Sequence, residues 1–323
     1  MNTAKSGTSL PYLDDFLLNL QTNNYSDKTI YNYERDLKVF QEFLSELKLD
    51  FKKVDKKIIN QYKAYLTSVD RMTAGHLKSE KKLNSYSMNR FLSSLRSYLK
   101  YLIEMDYESP VPPEAIKLVK NERNHPRVAE LNDLIRLIES PSYLESNNIV
   151  ALRNRAMLEI LFSTGMRISE LIGLSRDQID GSGRIFIRGK GKKERFVYLT
   201  PRGQAHLNDY LAIRDDNLSA LFIPYRGRNS KDSSGIKKRI STNYLQERIK
   251  FYREKLKINV PTSAHSLRHG FATYLAESGA NPAAIQILLG HESLNTTTRY
   301  VHASDRYAEK THHDFHPLKN DKK

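Results

Sequence analysis

Six side chains of chemically useful type stand in order along the second half of the chain. Arg167 lies in Thr164-Gly165-Met166-Arg167-Ile168-Ser169-Glu170-Leu171, and Lys190 lies in the basic run Gly189-Lys190-Gly191-Lys192-Lys193. His265 and Arg268 share His265-Ser266-Leu267-Arg268. His291 follows Leu288-Leu289-Gly290, and Tyr300 comes nine residues after it. Singly, each is an ordinary surface residue type. As a set they fit one chemical need. Breaking a phosphodiester without a metal requires a nucleophile, cations on the non-bridging oxygens and a proton for the departing oxygen. Two arginines offer fork-shaped donors and stay charged at any working pH. A tyrosine hydroxyl titrates near ~10, so it needs a neighbouring base or a positive field to attack at neutral pH. A nearby histidine and the arginines supply both. A lysine on a flexible turn can protonate a leaving 5′ oxygen.

Other constellations fail on spacing. Gly183 through Lys190 lacks the glycine spacing of a phosphate-binding loop, and Gly191 stands where Ser or Thr would hold the metal. His291-Glu292 does not continue as a zinc motif, because Asn295 occupies the second histidine position. His312, His313 and His316 have only Asp314 beside them, which is a poor ligand set. No Gly-x-Ser-x-Gly elbow is present. With no Cys at all, disulfide scaffolds, Cys-ligated zinc, iron–sulfur clusters and thiol nucleophiles are excluded. The expectation is therefore no cofactor and no metal.

The elements that must position these residues can be read from periodicity. Leu13, Phe16, Leu17 and Leu20 recur at helical spacing. Ser26-Asp27 starts a helix with Ile30, Tyr33, Leu37, Phe40 and Phe43-Leu44 on one face. A third helix carries Ile58, Ile59, Tyr62 and Tyr65-Leu66, and a fourth runs from about Ser85 to Met105. Arg71–Leu83, with Lys78, Lys81 and Lys82, reads as an exposed loop. Ser109-Pro110-Val111-Pro112-Pro113 breaks the helical pattern, and a short helix is expected over Glu114–Val119. The polar segment 120–127 reads as a linker. The domain assignment is thus 1–119 for a helical domain and 128–323 for the domain that carries the chemistry.

In that second domain Asn132 is a candidate cap for a helix over Leu134–Ile138. Asn147–Phe162 is helical and ends at Thr164-Gly165, and Arg167–Gly173 is a shorter helix. Ile185–Ile187 and Phe196–Leu199 read as two strands flanking the Lys190 turn. Helices follow at about Arg202–Ile213, Thr242–Leu256 and Ser266–Ser278. Asn281-Pro282 then starts a last one, which Gly290 stops. A final turn spans Thr297–Val301. The fold class is mainly α with a small β-sheet.

The 323 residues carry 52 Lys+Arg against 37 Asp+Glu, a net charge of +15. Residues 1–127 hold 21 Lys+Arg and 16 Asp+Glu, so both domains are basic. That points to a polyanionic partner, with nucleic acid the first expectation. No apolar run approaches the ~18–20 residues of a membrane span, and the N-terminus lacks a secretory pattern. A soluble cytoplasmic protein is expected.

The motifs around Arg167, Lys190 to Arg195, His265 to His269, and Leu288-Leu289-Gly290-His291 with Tyr300 resemble those of the tyrosine recombinases. These form the phage-integrase family, and the bacterial Xer type is the nearest in pattern. The resemblance covers essentially the whole chain. It implies an N-terminal SAM-like helical core-binding domain, an α+β catalytic domain, and a two-lobed C-shaped clamp around double-stranded DNA. It implies that Tyr300 attacks the scissile phosphate to form a 3′-phosphotyrosine. Arg167 and Arg268 would clamp the phosphate, and Lys190 would act as general acid. His265 would assist proton transfer at Tyr300, His291 would hydrogen-bond a non-bridging oxygen, and Glu170 would orient Arg167. It also implies a homotetramer on two paired sites and strand exchange through a Holliday junction, in chromosome dimer resolution or mobile-element integration and excision. The segment Ala303–His316, with Tyr307 and Phe315, could be exchanged between protomers, and a DNA translocase is a conceivable partner. Two departures stand out: Met166 where Leu is usual, and the length of Arg71–Leu83. A type IB topoisomerase-like nicking and closing enzyme is the alternative, and a non-catalytic DNA-binding protein is a second one.

Overall fold

Ser26, Asp55 and Asn84 each set a side-chain oxygen over the first turn of a helix, accepting from the backbone N–H three residues on. Such caps satisfy donors that the helix itself cannot. They fix the starts of three of the four helices in the first part of the computed structural model. The model describes residues 9–69, 71–73, 75, 82–120, 128–188, 194–226 and 238–290. Within it the chain divides into two units, 1–125 and 126–323.

The first unit comprises α1 (Leu13–Thr22), α2 (Asp27–Glu46), α3 (Lys56–Thr67) and α4 (Ser85–Glu104). Their apolar stripes meet in one core of Leu37, Phe40, Leu44, Tyr62, Leu66, Leu92, Tyr98 and Leu102. Into it Asp36 of α2 is buried, paired with Arg90 at 2.6 Å and accepting from Ser94 at 2.9 Å. Burial raises the Asp36 pKa, against the lowering influence of Ser94 and Arg90.

Two expectations for this unit are corrected. Arg71, at the start of the supposedly exposed loop, is buried, and the Met72 N–H donates to the Tyr65 hydroxyl at 2.6 Å. Residues 76–81 of that loop lie outside the described residues. The helix expected over Glu114–Val119 is only a tight turn, Pro113–Ala115. The reason lies on α4, where the Asn89 side chain donates to the Val119 carbonyl and accepts from its N–H. That pair of bonds takes the backbone groups a continuing helix would need.

The second unit holds α5 (Leu131–Glu139), α6 (Pro141–Leu144), α7 (Asn148–Thr164) and α8 (Ile168–Gly173). Then come the strands β1 (Arg184–Arg188) and β2 (Glu194–Tyr198), followed by α9 (Pro201–Ala212), α10 (Thr242–Lys255), α11 (Ala264–Glu277) and α12 (Pro282–Leu289). Asn132 does not cap α5. It sits inside that helix, which starts after Glu130 without a side-chain cap and whose extent follows the buried Leu134, Leu137 and Ile138. Packing of the apolar face, rather than capping, decides where this helix begins.

Helix α7 is the hub. It is buried on nearly every side, starts at a capping Asn147 and stops at Gly165, whose φ is 62°. Its buried charges are partnered. Arg155 pairs with Glu159 at 2.8 Å, Glu159 also accepts from Arg202 at 2.7 Å, and Arg153 donates to the Ile223 carbonyl at 2.8 Å. The strands pair antiparallel, with Ile187 opposite Arg195 and Arg188 opposite Glu194. A two-stranded ribbon is marginal alone. Here the inward Ile185, Ile187 and Val197 join the core around α7. Among the described residues no helix is long and apolar enough to cross a membrane.

Candidate active site

The site is assembled from three chain reversals. The first is the α7–α8 corner. Gly165 turns left-handed to end α7, and two residues later Arg167 serves as the N-cap of α8. A Cβ on Gly165 would stand 2.3 Å from a Phe271 ring carbon, so the corner is closed against α11 as well as strained for any side chain. Glu170, one turn into α8, reaches back to accept from the Arg167 backbone N–H at 2.7 Å and from its Nη1 at 2.9 Å. That is a capping arrangement in which the capping group is charged.

The second reversal is the strand pair. Arg195 on β2 faces inward, on the same side as Val197, and its side chain is only 7% exposed. Its two amino groups donate to both oxygens of Glu170, at 3.0 and 2.8 Å. Burial alone would raise the Glu170 pKa. Hydrogen bonds from Arg195 and from the Arg167 N–H, together with the charge of Arg195, outweigh it and hold the carboxyl below its ordinary range.

The third is the end of α12. Gly290 takes φ 64° and folds its N–H back onto the Gln286 and Ile287 carbonyls. Three successive carbonyls are thereby left at the negative end of the helix. Each takes an arginine: Leu288 from Arg195 Nε at 2.9 Å, Leu289 from Arg268 at 2.7 Å, and Gly290 from Arg167 at 3.5 Å. Cations at a helix C-terminus are favoured by its dipole and by these unpaired carbonyls. Arg268, on α11, is buried and also donates to the Gly165 carbonyl at 2.8 Å, which ties the first reversal to the third.

His265 lies one turn before Arg268 on α11, and its Nε2 is 2.7 Å from Nε2 of His269. One ring donates and the other accepts, so at least one of the two is neutral. Desolvation, then the charges of Arg268 and Arg167, lower the His265 pKa.

The fold therefore brings together Arg167 and Glu170 at the start of α8 with His265 and Arg268 on α11, two segments about a hundred residues apart in sequence. Lys190, His291 and Tyr300 lie outside the described residues, as do Ala303–His316 and most of the linker. The described chain leads to two of them directly. The paired strands flank 189–193, and α12 with Gly290 ends at the residue before His291. Arg195 was not among the sequence-derived site residues, although it stands in the same basic motif as Lys190. The signal was its inward register, two residues before the buried Val197. Among the described residues no three His, Cys, Asp or Glu side chains gather to hold a metal ion. Chemically, the arrangement presents two fixed guanidiniums with a histidine beside them, which suits an anion carrying more than one oxygen acceptor.

Comparison with known proteins gives a consistent picture. The model described as "Phage integrase family" matches residues 127–306, and "Phage integrase, N-terminal SAM-like domain" matches residues 13–105. A tyrosine recombinase XerD of Staphylococcus epidermidis is 33% identical over 304 residues, covering 90% of this chain and 93% of its own. The XerD of Staphylococcus aureus is also 33% identical over 304 residues, with the same coverage. Among solved structures, a XerH site-specific recombinase bound to palindromic difH substrate superposes with a TM-score of 0.69 at 21% identity, covering 96% of this chain and 90% of that one. The Tn1549 transposon integrase with transposon right-end DNA gives 0.67 at 17% identity, covering 94% and 99%. At these identities the two structures establish the fold.

Proposed function

The chain belongs to the phage integrase family and is a site-specific tyrosine recombinase, and from that premise we propose how its residues divide the work. Tyr300 attacks the scissile phosphorus. The bond to the 5′ oxygen breaks, a 3′-phosphotyrosine forms, and Lys190 gives the departing oxygen its proton. Arg167 and Arg268 hold the non-bridging oxygens, where charge grows in the transition state. His265, whose pKa is lowered by desolvation and then by Arg268 and Arg167, accepts the Tyr300 proton. His291 donates to a non-bridging oxygen. Rejoining runs the same steps backwards with a 5′-hydroxyl as nucleophile, and the energy of the broken bond is retained in the phosphotyrosine.

The observation that supports this reading best is the convergence of Arg167 and Arg268 on the adjacent Gly290 and Leu289 carbonyls, directly before His291. It brings two permanently charged guanidiniums side by side at the end of α12, where both can reach the oxygens of one phosphate. Both units bind duplex DNA at a specific site, and a tetramer on two paired sites exchanges strands through a Holliday junction. The sites belong to chromosome dimer resolution or to the ends of a mobile element, and the protein works in the cytoplasm. Domain limits of 1–119 and 128–323 go with this division.

The test is a two-site assay in EDTA with DNA carrying sites from the protein's own genome. Recombinant products that persist without metal or ATP are expected. Relaxation of supercoiled DNA with no recombinants would instead favour a nicking and closing enzyme, and binding with neither outcome would favour an architectural protein.

A further inference from the structure

We infer that Arg195 is a positioning residue that keeps Arg167 available to the phosphate by filling the remaining acceptor sites of Glu170. A carboxylate offers about four in-plane lone-pair directions. In Glu170 four hydrogen bonds occupy them: the Arg167 backbone N–H and Arg195 on Oε2, and Arg167 Nη1 and Arg195 on Oε1. The Arg167 guanidinium therefore spends one donor on Glu170, and its other donors remain for a ligand or, at 3.5 Å, for the Gly290 carbonyl. Arg167 is 38% exposed at its side chain, whereas Arg195 and Glu170 are each 7% exposed. The pair that does the holding is buried and the group being held is open.

Without Arg195 two lone pairs of a buried carboxylate fall vacant, one on each oxygen. The nearest cation able to fill them is Arg167, and a guanidinium prefers the two-pronged geometry. Arg167 would then turn onto Glu170 and withdraw from the phosphate. Arg195 also anchors α12, because its Nε holds the Leu288 carbonyl and its side chain packs on Gly290. A Cβ at Gly290 would lie 3.0–3.2 Å from Arg195 atoms. A lysine at this position keeps the charge but neither the fork nor the bond to Leu288.

This inference rests on the reading of Arg167 as a phosphate ligand. The test compares single-turnover cleavage of a nicked duplex site, at saturating protein, for wild type, Arg195→Gln and the double variant Arg195→Gln/Glu170→Gln. Duplex affinity and melting temperature are followed in parallel. Arg195→Gln should bind duplex within about twofold of wild type and cleave about 10- to 100-fold more slowly, the range seen when a partner of a reacting group is removed. The double variant should cleave faster than Arg195→Gln, because the vacant carboxylate that captures Arg167 is gone. A structural role alone predicts the reverse, with a double variant as slow as the single or slower, and that result overturns the inference. If Arg195→Gln does not fold, Arg195→Lys with and without Glu170→Gln makes the same comparison with the same two outcomes. If wild type itself forms no covalent adduct, the phosphate reading falls and carries the inference with it. An active wild type with no recovery in the double variant defeats the inference alone.

Discussion

Gly165→Ala is the substitution whose cost can be worked most directly from the geometry. Gly165 has φ 62°, which an alanine tolerates at a cost of about 1 kcal/mol relative to glycine. The added Cβ would sit 2.3 and 2.6 Å from two Phe271 ring carbons, where carbon contacts normally begin near ~3.5 Å, so the ring must move by about an ångström. Overpacking of this kind costs about 1–3 kcal/mol. Together the loss is about 2–4 kcal/mol, or a fall of roughly 4–16 °C in melting temperature for a domain of this size. The same shift displaces the Gly165 carbonyl that accepts from Arg268, so cleavage should fall more than duplex binding. Gly173→Ala is the matched control. It lies in α8 with nothing within 4 Å of the new Cβ, and should be neutral or stabilising by about 0.5 kcal/mol. Differential scanning calorimetry of the three proteins decides the matter. A Gly165→Ala protein melting within 2 °C of wild type would refute both the closed corner and its role in seating Arg268.

Desolvation, then Arg268 and Arg167, lower the His265 pKa from the ordinary 6.5, so its protonation is displaced to lower pH. Cleavage rates measured from pH 5 to 8 should hold level through pH 6.5 and fall only beneath it, whereas a fall centred above 6.5 would contradict a neutral His265 as base. Asp36 has a raised folded pKa, so the folded state binds its proton more tightly than the unfolded chain. Its contribution is therefore greatest below pH 3.8 and is lost as pH rises through the folded value. In urea unfolding, Asp36→Asn should gain stability relative to wild type between pH 3 and 6, and an unchanged difference across that range would speak against the effect of burial.

Much of this organisation could be read from residue patterns, and the failures have identifiable causes. Ser26, Asn147 and Asn281 combine a capping side chain with an apolar period behind it, and each marks a helix start correctly. Gly165 and Gly290 mark two helix ends because both take positive φ. Asn132 misled because it carries the right chemistry with no helix boundary to cap, and Glu114–Val119 misled because the deciding partner, Asn89, is distant in sequence. At the site, Arg167, His265 and Arg268 were legible from type and spacing. The further partners of the two arginines were not, since these are backbone carbonyls of Gly165, Leu289 and Gly290, which carry no sequence signal. Arg195 was legible in principle from strand alternation, but a charged residue in a basic run reads first as solvent-facing.

The central claim is that Tyr300 is the nucleophile on a DNA phosphate. The most direct measurement incubates wild type and Tyr300→Phe with a nicked duplex site in EDTA, isolates any SDS-resistant protein–DNA adduct and maps the modified peptide by mass spectrometry. The account predicts an adduct from wild type alone, linked through Tyr300 to a 3′-phosphate with a free 5′-hydroxyl on the other fragment. An adduct from Tyr300→Phe, or one carried by a different residue, would contradict it.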